Sequence, residues 1–127
     1  MGFSEKVLRT LIVEDEASFR RIFKEKLEAI FPSMVIYEAA EGNEAIRKVD
    51  TLKPELVFMD IRLPGEDGIQ LTRRIKTNYP TTKIIFITGF DSPDYRKEAI
   101  RAGGSCYLLK QSLDHVQIEQ LVKSLVQ

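Results

Sequence analysis

Leu56-Val57-Phe58-Met59-Asp60 is a short apolar run that stops on a carboxylate, with Pro64-Gly65 close behind. Similar runs occupy residues 7–13, 34–39, Lys83–Thr88 and Cys106–Leu109. They are rich in Val, Ile, Leu and Phe without clean period-2 alternation, as strands buried on both faces of a parallel sheet are. Between them lie helical patterns. Phe19, Ile22, Phe23, Leu27, Ile30 and Phe31 form one apolar stripe, with Arg20, Arg21, Lys24, Glu25 and Glu28 pointing away from it. Ala45, Ile46, Val49 and Leu52 form a second, and Leu71, Ile75 and Tyr79 a thinner third. Pro93 opens a fourth helix with Ser92 as its N-cap, and Gly103-Gly104 closes it. Ile118, Leu121, Val122 and Leu125 make the last.

The string is β then α, five times over. Such alternation with short connections means parallel strands joined by right-handed crossovers. The expected fold is α/β: a doubly wound five-stranded parallel sheet, (βα)5, of the flavodoxin-like type. Its ligands sit at the carboxyl ends of the strands, near the switch point.

The residues at those ends are chemically distinct. Glu14, Asp15 and Glu16 follow the first run, Asp60 the third, Thr88 ends the fourth, and Lys110 follows the fifth. Each has an ordinary reading alone: acidic residues favour a helix start, and Thr favours a strand. At the ends of successive strands they converge. Clustered carboxylates without His or Cys suit a hard cation such as Mg²⁺. Asp60 could then act as a nucleophile, since carboxylates form acyl phosphates. Phosphoryl transfer needs positioning and charge neutralisation, which Mg²⁺, Lys110 and the Thr88 hydroxyl would supply.

Length and composition are consistent with this reading. The 127 residues are a one-domain length, so a single domain spanning 1–127 is expected. At 43% hydrophobic and 30% charged, the chain is neither disordered nor collagenous. Lys+Arg and Asp+Glu each number 19, so no general basic surface for nucleic acid exists. The single Cys106 forms no internal disulfide and reads as a small core residue, which suits a reducing cytosol. Met1-Gly2-Phe3-Ser4-Glu5-Lys6 carries no secretory or acylation signal.

Four motifs in order resemble the response-regulator receiver domain of two-component signalling over essentially the whole chain. They are Leu11-Ile12-Val13-Glu14-Asp15-Glu16, Asp60-Ile61-Arg62-Leu63-Pro64-Gly65-Glu66-Asp67-Gly68, Ile87-Thr88-Gly89 and Gly103-Gly104-Ser105-Cys106-Tyr107-Leu108-Leu109-Lys110. The resemblance implies that Asp60 accepts a phosphoryl group from a phosphohistidine. It implies Mg²⁺ or Mn²⁺ held by Asp15, Asp60, Glu14 and the Arg62 backbone carbonyl, with Asp15 the more direct ligand and Glu14 able to act through water. Thr88 and Lys110 would contact the phosphoryl oxygens. Tyr107 would be the switch aromatic, turning inward as Thr88 moves, and the fourth helix, fifth strand and fifth helix the output surface.

The sequence departs from the family pattern in two places. The acidic pair is Glu-Asp where many relatives carry Asp-Asp. Gln111 follows Lys110 where many carry Pro, and a non-Pro cis bond there would cost about 2.5–4 kcal/mol.

The implied partners are a sensor histidine kinase or phosphotransfer protein, an output partner or domain, and a second copy of the chain in a phosphorylation-dependent homodimer. The implied location is cytoplasmic, with neither membrane nor nucleic acid bound by the domain itself. Slow self-dephosphorylation is implied in place of enzyme turnover. The output is open between a single-domain shuttle and a longer DNA-binding regulator of transcription. The alternative is a Mg²⁺-dependent aspartyl-phosphate phosphohydrolase. Enzymes of the haloacid-dehalogenase type, however, carry their nucleophile after the first strand, with a second Asp two residues on, where this chain has Arg62.

Overall fold

The computed structural model describes residues 7–126, so the N-terminal hexapeptide just discussed lies outside the described residues. Five strands form one parallel sheet: β1 (Arg9–Val13), β2 (Val35–Ala39), β3 (Leu56–Met59), β4 (Lys83–Thr88) and β5 (Cys106–Leu109). The helices are α1 (Ala17–Ile30), α2 (Gly42–Leu52), α3 (Gly68–Asn78), α4 (Pro93–Arg101) and α5 (His115–Val126), with a 3₁₀ turn over Lys110–Ser112. Strand order is β2-β1-β3-β4-β5. The chain leaves β1 toward β2 and then crosses back to β3, so the sheet winds in both directions. The switch point lies between β1 and β3, whose last paired residues are Val13 and Met59. The doubly wound expectation is met.

Two apolar layers sandwich the sheet. Leu11, Val13, Val57, Met59, Ile84 and Phe86 pack with Ala45, Val49, Leu71, Ile75 and Ala99 of α2, α3 and α4. Ile12, Phe58, Ile85 and Ile87 pack with Phe23, Leu27, Ile118 and Val122 of α1 and α5. Phe58 meets Phe23 edge-on, ring centroids 4.9 Å apart.

The central strands are buried on both faces, as their composition predicts. The outer two are not. β2 is half-exposed over most of its length, and Cys106 on β5 is only partly buried, because an edge strand has one neighbour. Ile22 departs from its expected stripe and stands 57% exposed. Only Phe23 and Leu27 of α1 are fully buried, and Phe31 lies past the helix as its C-cap. α4 begins as expected: Pro93 takes the first turn, and Ser92 Oγ accepts the Tyr95 N–H at 3.3 Å. The backbone turns out of that helix through Gly103 at φ +114. No cis peptide bond occurs among the described residues, so Lys110–Gln111 is trans.

Candidate functional site

The strand ends deliver Glu14, Asp60, Thr88 and Lys110 to one edge of the sheet. An open cleft of about 510 Å³ is lined there by Glu14, Asp15, Asp60, Thr88 and Lys110, together with Arg62, Gly89 and Phe90.

The backbone explains how each side chain arrives. Asp60 N–H donates to the Val13 carbonyl at 3.1 Å, and Glu14 N–H to the Ala39 carbonyl at 2.9 Å. Both bonds extend the sheet one residue past its strands, so both carboxylates project from ordered backbone. Gly68 N–H closes the loop after Asp60 by donating to the Ile61 carbonyl at 2.7 Å.

Glu14 and Asp60 are buried, at 2% and 6% exposure, whereas Asp15 is exposed. One carboxylate oxygen from each of the three lies within 4.8 Å of the others. Lys110 bridges the buried pair, its Nζ 2.6 Å from Glu14 Oε1 and 3.1 Å from Asp60 Oδ2. The ammonium also sits 4.5 Å from the centre of the Phe19 ring, which shields it from water.

Burial is the largest influence on Glu14 and pushes its carboxyl from the ordinary 4.5 up to about 7, over the opposing hydrogen bonds from Lys110 and the Glu16 N–H. Burial would lower Lys110, but its hydrogen bond to Glu14 and the charges of Asp60 and Glu14 outweigh it, and Lys110 moves up. The lysine therefore stays charged at neutral pH.

Thr88 and Tyr107, expected to form the switch, lie on the neighbouring strands β4 and β5. Thr88 is buried at the end of β4, and its Oγ1 accepts the Phe90 N–H at 3.2 Å. Tyr107 lies inward, its hydroxyl donating to the Phe90 carbonyl at 2.6 Å. Arg96 covers the Tyr107 ring at 4.9 Å, and burial raises the phenol's pKa. Arg62 stacks on Phe90 at 4.1 Å, and Tyr95 meets the same ring edge-on. Phe90 thus joins the cleft to α4.

Glu14, Asp15, Asp60, Arg62, Thr88 and Lys110 line this cleft, whereas Tyr107 stands back within β5 and reaches it only through its hydroxyl on Phe90. Two other residues were given no site role by the sequence: Gly68, the last residue of the second motif, and Arg20. Gly68 packs so closely on Asp60 that a Cβ would meet the Asp60 carbonyl oxygen at 2.0 Å. Arg20 was expected to face solvent, but it turns back to donate to the Glu14 carbonyl at 2.7 Å.

An all-oxygen donor set without His or Cys fits a hard divalent cation such as Mg²⁺ or Mn²⁺. The two buried carboxylates share a single ammonium, so a cation would relieve their mutual repulsion.

Residues 10–124 match the family described as the response regulator receiver domain. The chain belongs to that family. It is 32% identical over 114 residues to the uncharacterized transcriptional regulatory protein YxjL of Bacillus subtilis (strain 168), covering 90% of this chain and 52% of the relative. It is 35% identical over 108 residues to the oxygen regulatory protein NreC of Staphylococcus aureus (strain JH9), covering 84% and 50%. The receiver chain thus spans about half the length of the curated relatives it matches. Among solved structures, it resembles the signal receiver domain of a DNA-binding response regulator (merR) from Colwellia psychrerythraea 34H, at TM-score 0.86 and 29% identity over 94% of this chain and 98% of that one. A LuxR-family two-component response regulator from Aurantimonas sp. SI85-9A1 gives TM-score 0.85 and 30% identity over 94% and 84%. Receiver domains are signalling switches of two-component systems and generally bind Mg²⁺ at an acidic pocket. No helix among the described residues is long and apolar enough to cross a membrane.

Proposed function

We propose that Asp60 is the phosphoacceptor of a phosphorelay, charged by the phosphohistidine of a sensor histidine kinase or phosphotransfer protein. One observation carries this reading: a buried aspartate at the switch point, bridged by a lysine to one of two neighbouring acidic residues. An Asp60 oxygen attacks phosphorus, the P–N bond breaks, and the departing imidazole nitrogen keeps the bonding pair and takes a proton.

Glu14, Asp15, Asp60 and the Arg62 backbone carbonyl would hold Mg²⁺ or Mn²⁺. When bound, that ion neutralises charge on the phosphoryl oxygens. Lys110 adds a mobile positive charge at the same oxygens, and the Thr88 hydroxyl adds a hydrogen bond. Thr88 would leave Phe90 N–H to reach them, and Phe90 also carries the Tyr107 hydroxyl bond. Phosphorylation at Asp60 is thereby coupled to the surface of α4, β5 and α5. Water reverses the state slowly. A nucleophile after β3 supports this reading over a phosphohydrolase.

The longer YxjL relative, described as a transcriptional regulatory protein, and the DNA-binding response regulator (merR) whose receiver domain this fold resembles support a regulator with a DNA-binding output half, acting in the cytoplasm. The test is beryllofluoride with Mg²⁺, a mimic of the acyl phosphate. It should raise the Tm of wild type and leave Asp60→Asn unchanged; an equal rise in both would disprove the assignment.

A further inference from the structure

Asp15 is the exposed member of the acidic triad, and among the described residues its carboxylate has no hydrogen-bond or salt-bridge partner. What the fold fixes is therefore the main chain from which its Cα–Cβ bond projects. Glu14, immediately before it, is gripped on both sides. Its N–H donates to Ala39 at 2.9 Å, and its carbonyl accepts Arg20 Nη1 at 2.7 Å. Arg20 Nε donates at 3.1 Å to Glu38 Oε1 on β2, and the other Glu38 oxygen holds Lys24 at 3.3 Å. One guanidinium thus ties the end of β1 to α1 and β2. Arg20 does not line the site cleft; it lies behind it, lining a separate surface cleft with Lys24 and Glu38.

We propose that Arg20 is a positioning residue for the cation site. It fixes the Glu14 carbonyl, and with it the plane of the Glu14–Asp15 peptide from which the ligand of Asp15 projects. The proposal rests on the metal-dependent reading of this site. The planar fork of arginine serves a carbonyl and a carboxylate at once, which a lysine ammonium does only with looser geometry. Geometry and charge predict opposite signs here. The positive charge of Arg20, though paired with Glu38, repels a cation, so charge alone makes its removal tighten Mg²⁺ binding. Loss of the grip makes removal weaken it.

The experiment titrates Mg²⁺ calorimetrically into metal-free wild type, Arg20→Ala, Arg20→Lys and Glu38→Ala, with metal-free Tm values measured alongside. Arg20→Ala should raise the Mg²⁺ Kd about tenfold, at the low end for residues that orient metal ligands. Saturating Mg²⁺ then stabilises this variant by about 1.4 kcal/mol less than wild type. Arg20→Lys and Glu38→Ala should each show about a threefold rise. With acetyl phosphate, the half-saturating Mg²⁺ concentration should rise by the same factor, while the rate at saturating Mg²⁺ stays near wild type.

A lowered Tm with unchanged Kd would make Arg20 a structural ion pair and overturn the proposal, as would tighter binding. If Arg20→Ala does not fold, an unchanged Kd in both other variants overturns it equally. Failure of wild type to bind Mg²⁺ would instead remove the metal reading, and this proposal with it.

Discussion

Replacing Gly68 with alanine tests whether the backbone around Asp60 is as tightly fitted as its contacts indicate. A Cβ there would stand 2.0 Å from the Asp60 carbonyl oxygen, 2.9 Å from its carbon and 3.0 Å from Ile61 Cα. Ordinary contact begins near 3.4 Å, so the two segments must part by about 1.4 Å. All three neighbours are backbone, so no side chain can swing aside. The shift also stretches the 2.7 Å bond from Gly68 N–H to Ile61, worth about 1 kcal/mol. Overpacking adds about 1–3 kcal/mol. The sum, roughly 2–4 kcal/mol, lowers Tm by about 8–16 °C for a domain of this size. Displacing the Asp60 backbone by about 1 Å should slow phosphorylation up to about 100-fold, although every reactive group survives. Thermal unfolding and the rate of mass gain from acetyl phosphate read the two effects. Gly89→Ala is the control: a Cβ there meets nothing within 4 Å, and stability should hold within about 0.5 kcal/mol. A Gly68→Ala protein matching that control in Tm and wild type in rate would refute the reasoning.

Three further outcomes follow from the same contacts. The folded Glu14 carboxyl is raised from 4.5 to about 7, so in metal-free protein its contribution is present below the unfolded value and is lost as pH rises through 7. Protons compete with Mg²⁺ for this carboxylate, so calorimetric Mg²⁺ affinity should climb from pH 5.5 to 8 and then level; a flat profile would contradict the raised Glu14. Tyr107→Phe removes the 2.6 Å bond to the Phe90 carbonyl and should cost about 1 kcal/mol, read as a Tm loss of about 4 °C and faster amide exchange at residues 90–92. Phe58→Ala empties the edge-on contact with Phe23 between sheet and α1 and should cost about 3–5 kcal/mol in denaturant unfolding.

The strands were legible because burial on two faces leaves a composition signal that needs no partner to be read. β3, β4 and β5 run over the expected residues, while β1 and β2 start slightly later, at Arg9 and Val35. The same rule over-predicted burial for β2 and β5, since composition does not say which strand has one neighbour. It also misplaced Ile22, because a stripe counted at helical spacing is wider than the strip of α1 that touches the sheet. The site residues were legible because the topology sends every strand end to one edge. The roles of Gly68, though it ends a quoted motif, and of Arg20 were not: each touches another residue's backbone, a contact created by the loop and the crossover rather than by spacing in the chain.

The central claim is that Asp60 takes up phosphate with the help of a divalent cation, and intact mass tests it most directly. After incubation with acetyl phosphate and Mg²⁺, wild type should gain the mass of one phosphoryl group. Asp60→Asn should gain nothing, and chelation of Mg²⁺ should abolish the gain. A folded wild type that stays at its original mass, or an Asp60→Asn protein that gains as much, would contradict the account.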